Sequence, residues 1–304
     1  MYGLPCTQNI KRTKRKEMKA GLFAGGAAHG AYWVGYHTKA QIKYDAYVGT
    51  STGSLIALFL AMGQIDPKFY EYLVDEYSNT TNKEMYGFFQ PWTKKGKLNR
   101  AKMTLATINM LRTKRNYLYD ISKGIDTKVR KYFKPWHFRA LQKEGIKVIV
   151  TAKNIDLLNS GTYYADNLSL GMDYERFVRF VVASASIPYF AKPMQINGYQ
   201  WVDGGVLDIT PTGVIGQYDE VDIYLCDSQL DGQQRLRKAD TWSAMAINLL
   251  HEMRNEISRE DIDGLSSANI YHMERAEFNS ANFDSDKMCE LIKIGENRLN
   301  NDGD

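Results

Sequence analysis

Tyr44-Asp45-Ala46-Tyr47-Val48-Gly49-Thr50-Ser51-Thr52-Gly53-Ser54-Leu55-Ile56-Ala57-Leu58-Phe59-Leu60-Ala61-Met62 carries an apolar run into a second apolar run through a serine bracketed by glycines. Tyr44 to Val48 reads as a strand, and Ser54 to Met62 as a helix that stops at Gly63. A serine on so sharp a strand-to-helix turn needs Gly49 and Gly53, because a Cβ at either place would meet neighbouring backbone. The turn lifts Oγ clear of the sheet edge, and the helix that follows aims its amides and positive dipole end at the same spot.

About one βα unit upstream the pattern repeats. Lys19 to Ala24 reads as a short buried strand, Gly25-Gly26-Ala27-Ala28-His29-Gly30 as a glycine-rich turn, and Ala31 to Ala40 as a helix. Two such turns end side by side at the carboxyl edge of a parallel sheet, where open α/β folds bind ligands. Amides converging from the first turn can hold the oxyanion of an intermediate on Ser51, a feature worth about 3 kcal/mol of barrier. A dinucleotide fingerprint would need glycine at position 27 and an acid closing the second strand, where Ala27 and Gly49 stand. Neither turn carries the G-K-[ST] of a nucleotide P-loop.

A serine nucleophile needs a base. A triad in the order serine, acid, histidine leaves His251, in a helix expected over about 239–262, and His272, in an expected strand. The other candidate is Asp203, delivered by Trp201-Val202 onto Gly204-Gly205. On residue chemistry alone that stretch also reads as a plain Asp-Gly turn.

Gly25 to Gly30, Gly49 to Gly53 and Asp203-Gly204-Gly205, in this order, resemble the three motifs of the patatin-like phospholipases. Val182-Ala183-Ser184-Ala185-Ser186-Ile187-Pro188-Tyr189-Phe190, and Val148 to Ala152 followed by Gly161-Thr162, are similar to further segments of that family. The likeness runs from about Gly21 to Pro211, with a weaker echo from Phe283 to Leu299. It implies a three-layer α/β/α fold with a mainly parallel central sheet. It also implies a Ser51-Asp203 dyad, an oxyanion hole from the amides of Gly25, Gly26 and Ala27, and supporting roles for His29, Gly30, Gly49, Gly53, Gly204 and Gly205. The substrates so implied are ester bonds of phospholipids or lysophospholipids, cleaved with no metal and no cofactor. Asp203 would take the proton of Ser51 and return it to the leaving alcohol, and water would then release the acyl group.

The chain departs from the family pattern in three places. Ala27 replaces the third glycine of the usual run, which costs about 1 kcal/mol if φ must be positive there. His29 stands for the usual arginine or lysine, and Asp208-Ile209 occupies the neighbourhood of a usual asparagine. The rival readings are a serine esterase with a histidine triad and a lipid-binding pseudoenzyme.

The 304 residues suit one large domain, expected over 20–304, with a basic helical insertion around 80–140 and a basic segment at 1–19. Cys6, Cys226 and Cys289 are too scattered for a disulfide framework or a metal site, and no apolar run is long enough to span a bilayer. These features lead to the expectation of a cytoplasmic protein that meets membranes peripherally.

Charge is uneven. Lys94 to Lys134 holds thirteen Lys/Arg against Asp120 and Asp126, whereas residues 201–304 carry nine against twenty-one acids. The basic stretch follows the aromatic cluster Met85 to Trp92. Aromatic and cationic residues together fit an anionic membrane surface, or equally a lid whose aromatics pack inward under solvated lysines. No RNA-binding signature accompanies them, so nucleic acid is not an expected partner.

Overall fold

A computed structural model describes residues 17–87, 91, 93, 99–226, 262, 268–274, 280 and 282–301. In chain order the elements are β1 (Lys19–Phe23), α1 (Ala31–Ala40), β2 (Ala46–Gly49), α2 (Thr52–Gly63), α3 (Lys68–Asn79), α4 (Asn82–Tyr86), α5 (Arg100–Arg112), α6 (Ile121–Tyr132) and α7 (Pro135–Glu144). There follow β3 (Lys147–Asn154), β4 (Thr162–Asp166), α8 (Tyr174–Ser184), β5 (Met194–Ile196), β6 (Tyr199–Asp203), β7 (Glu220–Leu225), β8 (Ala268–His272) and α9 (Ser285–Asn301). The expected strands and helices around Ser51 are present, with α2 opening two residues earlier than the apolar run, at Thr52.

The sheet has the order β5-β6-β3-β2-β1-β7-β8, with β4 also paired to β3. β3, β2, β1, β7 and β8 run parallel, and β4, β5 and β6 form the antiparallel part. Side chains alternate between two cores, as the two-residue period of a strand requires. Phe23, Tyr47, Val148, Val150 and Tyr224 enter the larger one, under α1, α2, α3, α8 and α9. Leu22, Val48, Ile149, Ile223 and Leu225 enter the smaller one on the opposite face, with Ile215 and Ile262. The helix expected over 239–262 lies outside the described residues except for Ile262, as does His251.

One register positions the site. Val150 pairs with Gly49 of β2 and Ala165 of β4, so β2 and β4 lie on opposite sides of β3. Ala152 pairs with Tyr163 of β4 and Asp203 of β6, so β6 lies on the same side of β3 as β2. β2 stops at Gly49 and β6 takes over its edge two residues further along β3, an advance of about 7 Å. The end of β6 is thereby set directly beyond the turn that follows β2.

Candidate active site

Ser51 occupies that turn at φ 56 and ψ −128, a conformation that costs a non-glycine residue about 1–3 kcal/mol. The surroundings over-determine it. The Gly53 amide donates to the Thr50 carbonyl at 2.8 Å, and the Ser54 amide and hydroxyl both donate to the Ser51 carbonyl, at 3.0 and 2.6 Å. A Cβ on Gly49 would run into the backbone of Gly53, and one on Gly53 into the carbonyl of Phe23. Ser51 itself is 8% exposed.

The C-terminal end of α8 clamps both candidate catalytic residues. The Ser51 amide donates to Ser184 Oγ at 3.1 Å, and the Asp203 amide donates to the Ser186 carbonyl at 3.0 Å. Asp203 is buried, and its Oδ1 accepts the Gly205 amide at 2.8 Å. Gly205 fits between the two halves of the site, since an added Cβ there would lie 3.1 Å from both Thr50 Cγ2 and Asp203 Oδ1. Thr151 Oγ1 donates to Thr50 Oγ1 at 2.8 Å, tying β3 to the elbow. The roles of Ser184, Ser186, Thr50 and Thr151 are absent from the sequence reading. The run of small residues Ala183 to Ser186, which breaks the apolar stripe of α8, is the signal that could have found two of them.

The glycine turn abuts Ser51. A Cβ on Gly25 would come within 2.9 Å of Ser51 Cβ, and one on Gly26 would fall on the Cys226 side chain. Ala27 has φ 47, so the cost foreseen for a positive φ at this position applies. The Gly25 amide makes a long hydrogen bond, 3.4 Å, to the Ile209 carbonyl, and the Ala28 and His29 amides donate to the Ser280 and Gly26 carbonyls. Half-buried His29 sits in the short 3-10 turn Ala27–Gly30 that leads into α1. Gly30 packs against α2, with room for a Cβ only 3.0 Å from Ile56 and 3.1 Å from Thr52. Asp208, in the neighbourhood of the missing asparagine, accepts a hydrogen bond from the Tyr164 hydroxyl at 2.8 Å.

Ser51 and Ala27 open onto a cavity of about 200 Å³. Its walls are Leu55 and Phe59 of α2, Leu73 and Tyr77 of α3, Ile121, Ile125 and Val129 of α6, and Ala185, Phe190 and Met288. Met85 and Tyr86, from the aromatic cluster, also line it, as the inward-packing lid reading expects; residues 88–90 and 92 lie outside the described residues. One wall is polar. Lys128 Nζ contacts Glu76 at 2.9 Å, Glu84 at 3.0 Å and Thr80 Oγ1 at 2.6 Å, sealing the seam between α3, α4 and α6. Burial alone would raise the Glu76 carboxyl, but the hydrogen bond and charge of Lys128 outweigh it and hold the group below the usual carboxylate range.

His272 is remote from this site. It ends β8, three strand spacings or about 14 Å from the line of β2, and its carbonyl accepts Arg298. Among the described residues no cluster of histidine, cysteine and acidic side chains could hold a metal, and no helix is long and apolar enough to cross a membrane.

The model of the patatin-like phospholipase family matches residues 18–215, which contain the glycine turn, the elbow and Asp203. The chain belongs to that family. Two solved structures are similar to this patatin-like chain. VipD from Legionella pneumophila is 13% identical with a TM-score of 0.49 over 94% of this chain, and the type III effector protein ExoU is 11% identical with a TM-score of 0.30 over 94%. The chain spans 66% and 53% of their respective lengths. No curated protein sequence matches it.

Proposed function

We propose that this patatin-like chain is a lipid acyl hydrolase that cleaves ester bonds of phospholipids or lysophospholipids through Ser51 and Asp203. The observation that carries this reading is a strained serine, clamped through one helix end to a buried aspartate, at the mouth of an apolar cavity. Asp203 takes the proton of Ser51 Oγ as the oxygen attacks the ester carbonyl, and returns it to the leaving alcohol. A carboxylate is a weak base for a hydroxyl, so the step depends on the desolvated site and on amides that meet the oxyanion as it forms. The amides of Gly25, Gly26 and Ala27 supply that surface, with Gly25 packed directly against Ser51. Water activated by Asp203 then frees the acyl group.

The cavity supports an apolar occupant and sets its size. Ser51 and Phe59 lie eight residues apart along α2, about 12 Å of helix. Fatty acid release from mixed phospholipid vesicles in EDTA is the test. Release by the wild type and none by Ser51→Ala is the expected result. Equal release by both proteins would remove Ser51 from the mechanism. No release by the wild type, with no labelling of Ser51 by a fluorophosphonate, would favour a lipid-binding pseudoenzyme.

A further inference from the structure

Helix α5 turns its apolar side outward. Only Ala106 is buried, whereas Leu105, Ile108 and Leu111 are 51, 53 and 66% exposed. Their spacing of three residues keeps them on one flank of the helix, opposite Ala106. A soluble helix ordinarily arranges itself the other way, with its large aliphatic residues against the core. The flank is set in positive charge. Between Asn99 and Tyr119 the chain carries Arg100, Lys102, Arg112, Lys114 and Arg115 and no acid at all. Four of these are exposed, and Lys102 is half-buried.

The helix also leads straight to the mouth of the cavity. Residues after α5 pair with the loop that forms the cavity rim: the Leu118 amide donates to the Tyr189 carbonyl at 2.8 Å and the Tyr119 amide to the Phe190 carbonyl at 2.9 Å. Phe190 and Ile187 line the cavity, and Ile187 and Tyr189 are themselves 42 and 48% exposed.

We infer that α5 is a docking helix for an anionic phospholipid bilayer, laying Leu105, Ile108 and Leu111 among the acyl chains while Arg112, Lys114 and Arg115 meet the headgroups. Two features, the charge and the aliphatic ridge, select this occupant over others. A second copy meeting this flank with its own α5 would set five cations against five, which repels. A nucleic acid would match the charge but leave the aliphatic ridge facing phosphates. An anionic bilayer takes both, since helices with aliphatic residues flanked by cations lie in its interface. Docking there brings the cavity rim to the lipid surface, so an acyl chain can pass to Ser51 without crossing water. The inference rests on the hydrolase reading only for that last step, and binding can be measured without turnover.

The test uses the full chain carrying Ser51→Ala, so that lipid is bound and not consumed, sedimented with vesicles of phosphatidylcholine alone or mixed with phosphatidylserine. Binding should favour the anionic vesicles. Arg112→Gln, Lys114→Gln and Arg115→Gln should each weaken binding to anionic vesicles about fivefold and leave the weak binding to neutral ones unchanged. Leu105→Ser with Ile108→Ser and Leu111→Ser should weaken binding to both by more than tenfold. The emission that Ile108→Trp adds to that of the five native tryptophans, taken as the difference from the Ser51→Ala parent, should shift to the blue when vesicles are added, a readout that does not depend on the triple variant folding. Unchanged sedimentation of the serine variant, or an Ile108→Trp spectrum indifferent to vesicles, would overturn the inference. With Ser51 intact, the same α5 variants should hydrolyse a soluble short-chain ester at the wild-type rate. Failure of the wild type itself on that ester would count against the hydrolase reading and leave the binding result standing.

Discussion

The central sheet holds a buried carboxylate towards each end, and the two sit in opposite company. Towards the amino end, Asp222 of β7 meets Lys19 Nζ at 3.0 Å, the Tyr44 hydroxyl at 2.8 Å and Asn269 Nδ2 at 2.8 Å, with Tyr44 and Tyr224 joined hydroxyl to hydroxyl. Burial, together with Tyr224 and Asp222, holds the Tyr44 phenol protonated. At the carboxyl end, Asp203 stands beside Gly205 and the elbow of a serine whose backbone is strained. A buried charge given a cation and well-aimed donors ties strands together. A buried charge placed against a hydroxyl can move a proton. The same residue type therefore serves stability at one end of the sheet and, in the function proposed above, chemistry at the other.

This contrast can be broken at either end. Asp222→Ala should cost about 3 kcal/mol of stability in urea unfolding, the lower part of the range for a broken buried pair because Lys19 keeps 30% exposure, while ester hydrolysis per folded molecule stays near wild type. A comparable loss of activity at saturating substrate would mean the two ends are not independent. His37 sharpens the stability side. It is buried on α1 between Phe23 and Tyr224, both ring nitrogens lack a hydrogen-bond partner among the described residues, and desolvation lowers its pKa to about 3. Its folded pKa lies below its ordinary value of 6.5, so the unfolded chain binds the extra proton first and stability falls as pH drops below 6.5. The loss should be about 1.4 kcal/mol for each pH unit, or about 2 kcal/mol at pH 5, and His37→Leu should flatten the profile.

At the Ser51 end, Ser184→Ala strands the Ser51 amide and, in the function proposed above, should lower kcat for a soluble ester about tenfold with KM nearly unchanged. Equal losses of kcat and folded fraction would reduce Ser184 to a purely structural role. The smallest effect is expected at Ala27, where Ala27→Gly relieves the positive φ and should stabilise the protein by about 1 kcal/mol.

The parts of this architecture that are legible in the sequence are the local ones. Gly49 announces the elbow because backbone only a few residues on leaves no room for a Cβ, whereas Gly53 is held free of one by Phe23 of the neighbouring strand, and the apolar runs around Ser51 give strand and helix by period alone. Asp203-Gly204-Gly205 is visible as a turn, but its place beyond β2 depends on β3 being long enough to pair with β2 along its first half and β6 along its second. Ser184 holds Ser51 from 133 residues away, and Asp222 meets Lys19 across the sheet, so neither pairing leaves a periodic trace. Likewise the uneven charge marks residues 94–134 as a surface of interest. Only the packing of Ala106 inward reveals that the aliphatic side of α5 faces out.

The most direct test of the dyad is labelling of Ser51 by a fluorophosphonate in the wild type and in Asp203→Asn, alongside ester hydrolysis by both. Asp203→Asn should keep the wild-type melting temperature within a few degrees while labelling and hydrolysis fall by about a thousandfold or more. A folded Asp203→Asn protein that labels and turns over at near wild-type rates would contradict it.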